Sequence, residues 1–269
     1  MQKFNYHTHT YRCGHSDSSI SDEEYVKMFI DKGFTKICFT DHCPEKNKID
    51  LRNNMRMDYS EKEGYYNSIK ALKEKYKDKI DIEVGFEVEY APGLEEDLLE
   101  LKKETDKLIL GQHFVYDETN KFLKVVGWGD TNDNDILRYA EYIVKALELD
   151  LVDVIAHPDI FMFHKDSFGK AEEKAARIIC EAAEKYQITL EINLTRACLY
   201  FLKQTNKIEY PCKEFWKIAS EYNVKVIYGV DVHFREQLKY YEESLKVVNK
   251  YLGEKILNKL NFVGENLWD

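Results

Sequence analysis

No stretch of this 269-residue chain approaches the roughly 18 consecutive apolar residues of a membrane-spanning helix, so no membrane span is expected. Proline is scarce, at four residues, and no segment rich in proline, glycine and serine interrupts the sequence. Without such a linker the expectation is a single domain over residues 1–269. There is also no block or stripe of lysine and arginine: 39 basic residues stand against 49 acidic ones, interspersed, for a net charge of −10. That excludes a broad nucleic-acid footprint, and long nucleic acids are not expected as partners. The six cysteines form no CxxC pair and no even framework of spacings. The opening MQKFNYHTHT has neither a basic n-region nor an apolar h-region. A reduced, cytoplasmic setting is the expectation from both.

What is present suffices for a globular core. The hydrophobic share is 44%, and a chain of this length buries roughly three quarters of its unfolded surface. Short β-rich runs recur at residues 4–8, 36–41, 81–88, 108–114, 152–157, 188–194 and 225–231. Most are continuous rather than alternating, as parallel strands covered on both faces read. Helical patterns lie between them. In SDEEYVKMFIDKG, Ser21 and Glu24 form a capping box and Gly33 stands at the stop position. Further helices are expected over about 59–77, 94–107, 133–148, 170–186, 211–223 and 235–251. Sevenfold strand–helix alternation predicts an α/β fold, a distorted TIM-like (β/α)7 barrel. An open doubly wound sheet competes, but it spreads its strand ends along a line. The segment 43–58 is long for a loop between strand and helix and is a candidate lid.

Six of the eight histidines close one of these runs or follow it by two residues. His7 and His9 end FNYHTH, and residues two apart on a strand share a face. Asp41 and His42 end KICFTDH, His113 follows LILGQ, His157 follows VDVIA, and Asp231 with His233 ends KVIYGVDVH. Glu87 lies in the apolar strand IDIEVGFEVEY, where an uncompensated carboxylate is costly. A metal or a cationic partner must balance it, unless Glu89 points inward and Glu87 pairs outside. Asp41 reads better as a group orienting a neighbouring imidazole than as a ligand. His15 is either a loop residue or a further ligand, and His164 reads as structural or surface. Singly these signals are weak. Together they place imidazoles and carboxylates on one barrel rim, which predicts a multi-metal hydrolase.

The ordered motifs HTHT at 7–10, TDH at 40–42, GFEVEY at 85–90, GQHF at 111–114, AHPD at 156–159 and GVDVH at 229–233 resemble the PHP (polymerase and histidinol phosphatase) superfamily. Within it the histidinol-phosphatase branch fits best, over essentially the whole length. The resemblance implies a barrel with two to three divalent ions, zinc, manganese or iron. It implies that His7, His9, Glu87 and Asp231 hold the first ion, and that Glu87, His113 and His157 hold the second. His15, His42 and His233 hold the third. Catalytic roles then fall to Glu87, Asp231 and His233. The implied reaction is hydrolysis of L-histidinol phosphate, a small-molecule phosphate ester. A nucleotide or other phosphoesterase, or a metal-binding regulatory protein, are the alternatives.

Phosphate recognition is sought among seven arginines, because a guanidinium meets phosphate bidentately. Arg196, directly after the sixth strand in EINLTRA, is the first choice. Arg56, Arg52 and Tyr116 are candidates for closing over the ligand, and Glu89 and Asp130 for meeting the substrate's amine and imidazole.

Overall fold

The computed structural model describes residues 1–46, 55–117, 119, 123–129, 131–264 and 267. Residues 47–54, half of the candidate lid at 43–58, lie outside the described residues, as do Arg52 and Asp130.

Eight strands run parallel in one curled sheet: β1 (Phe4–Asn5), β2 (Lys36–His42), β3 (Asp81–Val88), β4 (Lys107–Leu110), β7 (Val154–Ile155), β8 (Thr189–Asn193), β9 (Lys225–Gly229) and β10 (Asn261–Phe262), in that spatial order. Two further strands, β5 (Phe114–Tyr116) and β6 (Leu123–Val125), form a separate antiparallel hairpin. Parallel neighbours require helical crossovers. These are supplied by α1 (Asp22–Asp31), α2 (Lys62–Tyr76), α3 (Glu95–Glu104), α4 (Asp133–Glu148), α5 (Lys170–Tyr186), α6 (Thr195–Phe201), α7 (Lys213–Ala219), α8 (Arg235–Lys239), α9 (Tyr241–Leu252) and α10 (Glu254–Leu257). The TIM-like barrel expected from the sequence is the observed fold. The capping box of Ser21 and Glu24 opens α1, and Gly33 follows its end at a φ of 72°.

Among the described residues, backbone-to-backbone pairing joins the β1 and β9 sides of the sheet near the C-terminal ends of the strands. There Thr8 bridges Val232, His9 N donates to Val232 O at 2.9 Å, and Val230 N donates to the Asn5 side chain at 2.9 Å. At the other end β10 lies beside the first residues of β9. The Gln2 side chain there accepts from Tyr228 N and donates to Tyr228 O. Closure at one end only is the distortion. It gathers the residues beyond the strand ends onto one rim.

Inside the barrel Cys38, Ile109, Val154 and Ile227 are fully buried and form an apolar floor. The alternate residues of the same strands, among them Ile37, Phe39, Leu108, Leu110 and Ile155, face the helices in the main core. Because the period along a strand is two, the inward set continues upward as His42, Glu87 and Asp231.

Several elements differ from expectation. The run at 108–114 is not one strand: the ladder stops at Leu110, and Gln112 takes over by accepting from Tyr90 N at 2.9 Å and donating to Tyr90 O at 3.0 Å. Phe114 then enters the hairpin. The helix expected at 235–251 breaks at Tyr240 (φ −105°, ψ 30°) into α8 and α9. The strand β10 and the helix α6 were not expected.

Candidate metal centre

Eight of the nine candidate ligands stand at, or just beyond, the end of a strand, and His15 lies in the loop after the short 3-10 helix Tyr11–Cys13. His7 and His9 follow β1, His42 ends β2, Glu87 is the penultimate residue of β3, and His113 follows β4. His157 follows β7, and Asp231 and His233 follow β9. His157 (φ 29°) and Asp231 (φ 52°) adopt left-handed backbone. Such strain costs on the order of 1–3 kcal/mol and persists where the surroundings fix it, typically at functional sites.

The nine side chains converge. His7 Nε2 lies 3.1 Å from His9 Nε2, 3.2 Å from Asp231 Oδ1 and 3.5 Å from Glu87 Oε2. His9 Nε2 is 3.4 Å from Glu87 Oε2 and 3.3 Å from Asp231 Oδ1. Glu87 Oε1 is 3.0 Å from His157 Nε2 and 3.8 Å from His113 Nε2, while Oε2 is 2.9 Å from His42 Nδ1. Glu87 therefore touches both the His7–His9–Asp231 group and the His113–His157 pair. The rings of His9, His15, His42 and His233 form a third group, with His15 centred 5.2 Å from His42 and 4.5 Å from His233. His164 stands apart, exposed and packed on Phe163 and Trp128.

Hydrogen bonds behind these side chains fix how they point. Acceptors hold Nδ1 of four imidazoles: Glu191 Oε2 for His7 (2.9 Å), Glu89 Oε1 for His113 (2.8 Å), Cys13 O for His15 (3.0 Å) and Asp231 O for His233 (3.2 Å). A carboxylate or carbonyl there places the proton on Nδ1 and leaves the Nε2 lone pair free. Asn193 donates to Glu191 Oε1 at 2.8 Å and to Asp231 Oδ2 at 3.1 Å, leaving Asp231 Oδ1 as the free oxygen. Asp41 accepts from both Thr10 N and the Thr10 hydroxyl, and so fixes the turn after His9. Two glycines make room. A Cβ on Gly111 would fall 1.7 Å from Glu87 Oε1, and one on Gly229 would fall 2.1 Å from the Glu191 carboxylate.

The electrostatics point to cations. Burial pulls the His7 imidazole down, but Asp231, Glu191 and Glu87 outweigh it and its pKa stands well above the ordinary value. Burial pushes Glu87 and Asp231 up, yet the imidazoles around them hold both well below the carboxylate range. His113 and His233 rise to about 9, against burial, beside Glu89 and Asp231 respectively. His42 falls to about 3 through burial, and His9 falls with burial and with its neighbours His233 and His42. Meanwhile Glu87 Oε2, Asp231 Oδ1, His157 Nδ1 and His233 Nε2 are buried without a hydrogen-bond partner. Unpaired buried lone pairs are costly. Imidazole nitrogens and carboxylate oxygens converging in this way fit divalent transition-metal ions.

The ligand ring floors a cavity of about 620 Å3. The residues expected to meet the phosphate are elsewhere. The Arg196 guanidinium closes on Glu209 through Nε–Oε2 (2.8 Å) and Nη2–Oε1 (2.9 Å), with Thr205 Oγ1 at 3.2 Å. Arg56 donates to Cys43 O at 2.9 Å and lies beside Glu45. Tyr116 sits in the hairpin with its carbonyl bonded by Arg138. None of the three lines the cavity. Glu191 and Asn193 are not among the residues singled out from the sequence, which at this strand end name Arg196 alone. Two polar residues spaced two apart in an apolar strand, the pattern that singled out Glu87, was the available signal.

A family model described as the PHP domain matches residues 5–195. A probable phosphatase of Thermoanaerobacter sp. (strain X514) is 29% identical over 246 residues, covering 90% of this chain and 83% of that protein. A probable histidinol-phosphatase of Deinococcus radiodurans is 24% identical over 84% of this chain and 85% of its own length. Among solved structures, a candidate histidinol phosphatase of Listeria monocytogenes matches with a TM-score of 0.72 at 22% identity, over 89% of this chain and 99% of that one. The histidinol phosphate phosphatase of Lactococcus lactis subsp. lactis, complexed with zinc, L-histidinol and phosphate, matches at a TM-score of 0.64 and 18% identity, over 91% and 94%. At these identities the structural likeness is one of fold.

Proposed function

This chain belongs to the PHP domain family, and from that premise we propose that it is a metal-dependent phosphomonoesterase acting on L-histidinol phosphate. The observation that carries the reading is the convergence on Glu87. Its two oxygens face five imidazoles from four strand ends, and Oε2 has no hydrogen bond of its own. The relatives named phosphatases or histidinol-phosphatases support the substrate class.

In this reading His7, His9, Glu87 and Asp231 hold one ion, Glu87, His113 and His157 a second, and His15, His42 and His233 a third. Zinc, manganese and iron all suit such a donor set. Bound there, the ions supply Lewis acidity and neutralise phosphate charge in a reaction that is among the slowest known without a catalyst.

The protein's own groups orient and exclude. Glu191 and Glu89 set the tautomers of His7 and His113, and Asn193 holds Asp231 so that Oδ1 faces the cavity. Asp231 Oδ1 is placed to take the proton given up by the attacking water and to return it to the departing alcohol oxygen. Glu236, at the cavity mouth, is the one carboxylate above the ligand ring among the described lining residues, and it faces the substrate's ammonium.

The test is phosphate release from L-histidinol phosphate by zinc- or manganese-loaded protein, beside a nucleoside monophosphate and a phosphodiester. Turnover of histidinol phosphate, abolished by a chelator, is expected. Turnover of the other two in its place would keep the hydrolase and overturn the substrate. Equal metal content in Glu87→Ala and the parent would overturn the centre.

A further inference from the structure

Above the ligand ring the cavity changes character. No lysine or arginine lines it among the described residues, so phosphate charge has no partner on the walls. The walls are instead apolar: Val126, Trp128, Ile160, Phe163, Leu199 and Leu202 face one another across it. Besides Glu236 at the mouth, three polar groups at its edge are already engaged or remote. The Gln237 side chain spans His233 N, Phe234 N, Asp231 O and Thr195 Oγ1, and Thr195 Oγ1 also reaches Asp231. Gln204 lies exposed at the opening.

One wall is a continuous series of aromatic rings leading down to the ligands. Trp128 is 48% exposed at the rim and meets Phe163 edge-on at 5.8 Å between centroids. Phe163 meets Tyr210 at 6.1 Å, and Tyr210 meets His157 at 6.3 Å, all three contacts T-shaped. The wall is braced from outside. The Arg196 guanidinium lies 5.2 Å from the Phe163 ring centre while Glu209 holds its fork. Gly127, at a φ of 82°, lets the segment after the hairpin pack on the turn at 160–163, where a Cβ would fall 2.8 Å from Ile160 O.

Trp128, Phe163 and Tyr210 all line the cavity and can offer edge-to-face or offset contacts to a ring. The cavity volume lies within the range of about 300–1,000 Å3 that holds drug-sized ligands. We infer that the Trp128–Phe163–Tyr210 wall is the leaving-group subsite, and that it selects phosphate monoesters whose alcohol carries a planar, uncharged ring. The inference rests on the phosphomonoesterase reading and widens it: the neutral imidazole of histidinol is one such ring, and an aryl-alkyl phosphate with no amine is another. The reaction is unchanged. Water adds to phosphorus, the ester P–O bond breaks with its electron pair on the alcohol oxygen, and the proton from water ends there.

The test compares 3-phenylpropyl phosphate with propyl phosphate on the zinc-loaded protein. The phenyl group sits three carbons from the ester oxygen and leaves its basicity nearly unaltered, so a difference reads the pocket. About tenfold or more in kcat/KM in favour of the phenyl ester is expected from burying the ring. Trp128→Ala, at an exposed position, and Phe163→Leu should each collapse that ratio, with KM moving more than kcat. A ratio near one in the parent, or one that survives both substitutions, overturns the inference. Calorimetry with 3-phenylpropylphosphonate and propylphosphonate reads the same preference without turnover. If neither ester is hydrolysed but the phosphonate preference holds and is lost in Trp128→Ala, the phosphatase reading fails and the subsite stands. If the phosphonates bind equally, the subsite fails whatever the turnover.

Discussion

Glu191 Oε2 lies 2.9 Å from His7 Nδ1 in the fully buried interior of the barrel. The pair joins strands that are distant in sequence, and it decides which nitrogen of His7 is free to face Glu87 and Asp231. Glu191→Gln keeps the shape but can present an amide donor in place of a carboxylate. Loss of such an orienting acceptor typically lowers metal affinity about 10–100-fold. Zinc competition against a chromogenic chelator should show a drop of that size with the circular dichroism spectrum unchanged. Unaltered zinc retention would remove Glu191 from the centre.

Gly111 carries a second prediction. Its missing side chain is where the Glu87 carboxylate sits, 1.7 Å from an ideal Cβ. Gly111→Ala should cost about 1–3 kcal/mol, as overpacking of a buried site does, and should also push Glu87 off the imidazoles. The signature is a lower denaturation midpoint accompanied by lost zinc. A stability loss with full metal content would mean that the carboxylate simply moves aside.

Arg196, whose side chain keeps 15% exposure, and the buried Glu209 make a bidentate pair. Removing one partner of such a pair strands a charge and costs about 3–5 kcal/mol. Arg196→Met should destabilise by that order, and Glu209→Gln in the same chain should recover most of it. Inhibition by inorganic phosphate should change less than threefold in the double variant. A rise of tenfold or more in the phosphate inhibition constant would instead return the guanidinium to the phosphate.

Asp159, two residues after the candidate ligand His157, supplies a pH dependence of stability. Its Oδ2 accepts from Cys212 N at 2.5 Å and Trp216 Nε1 at 3.0 Å, its Oδ1 has no partner, and burial raises the carboxyl to about 7 despite those bonds. The unfolded chain ionises this carboxyl near 3.9. A group whose folded pKa is raised favours the folded state at low pH, and its contribution is lost as pH climbs from about 4 to about 7. Asp159→Asn removes that loss. Urea midpoints of the metal-free proteins should show the variant gaining on the parent across this window and running parallel above it. A gap independent of pH would rule the effect out.

The ligand ring was legible because strand ends announce themselves: a short apolar run, then a histidine or a carboxylate, repeated in one order. The strand pattern left Glu87 and Glu89, which share a face, as alternatives, and only the family resemblance assigned Glu87 as a ligand. Other parts were hidden for physical reasons. Glu191 and Asn193 sit within a strand, and their role depends on His7, which is far away in sequence. The hairpin at 114–125 was concealed because Phe114 continues an apolar run that Gln112, not a turn residue, interrupts. The break at Tyr240 has neither glycine nor proline to mark it. Arg196 was located correctly beside a strand end, but sequence gives no direction to a long side chain, and Glu209 sets it.

Barrel closure has a final consequence. The sheet is joined through Thr8 and Val232, and the residues flanking that join, His7, His9, Asp231 and His233, are themselves candidate ligands. An ion held by His7 and Asp231 is therefore a clasp across the seam of the barrel. With such an ion bound, folding free energy and metal affinity would be coupled there, and its removal would weaken the seam. A fragment that stops short of β9 has no closed rim to load.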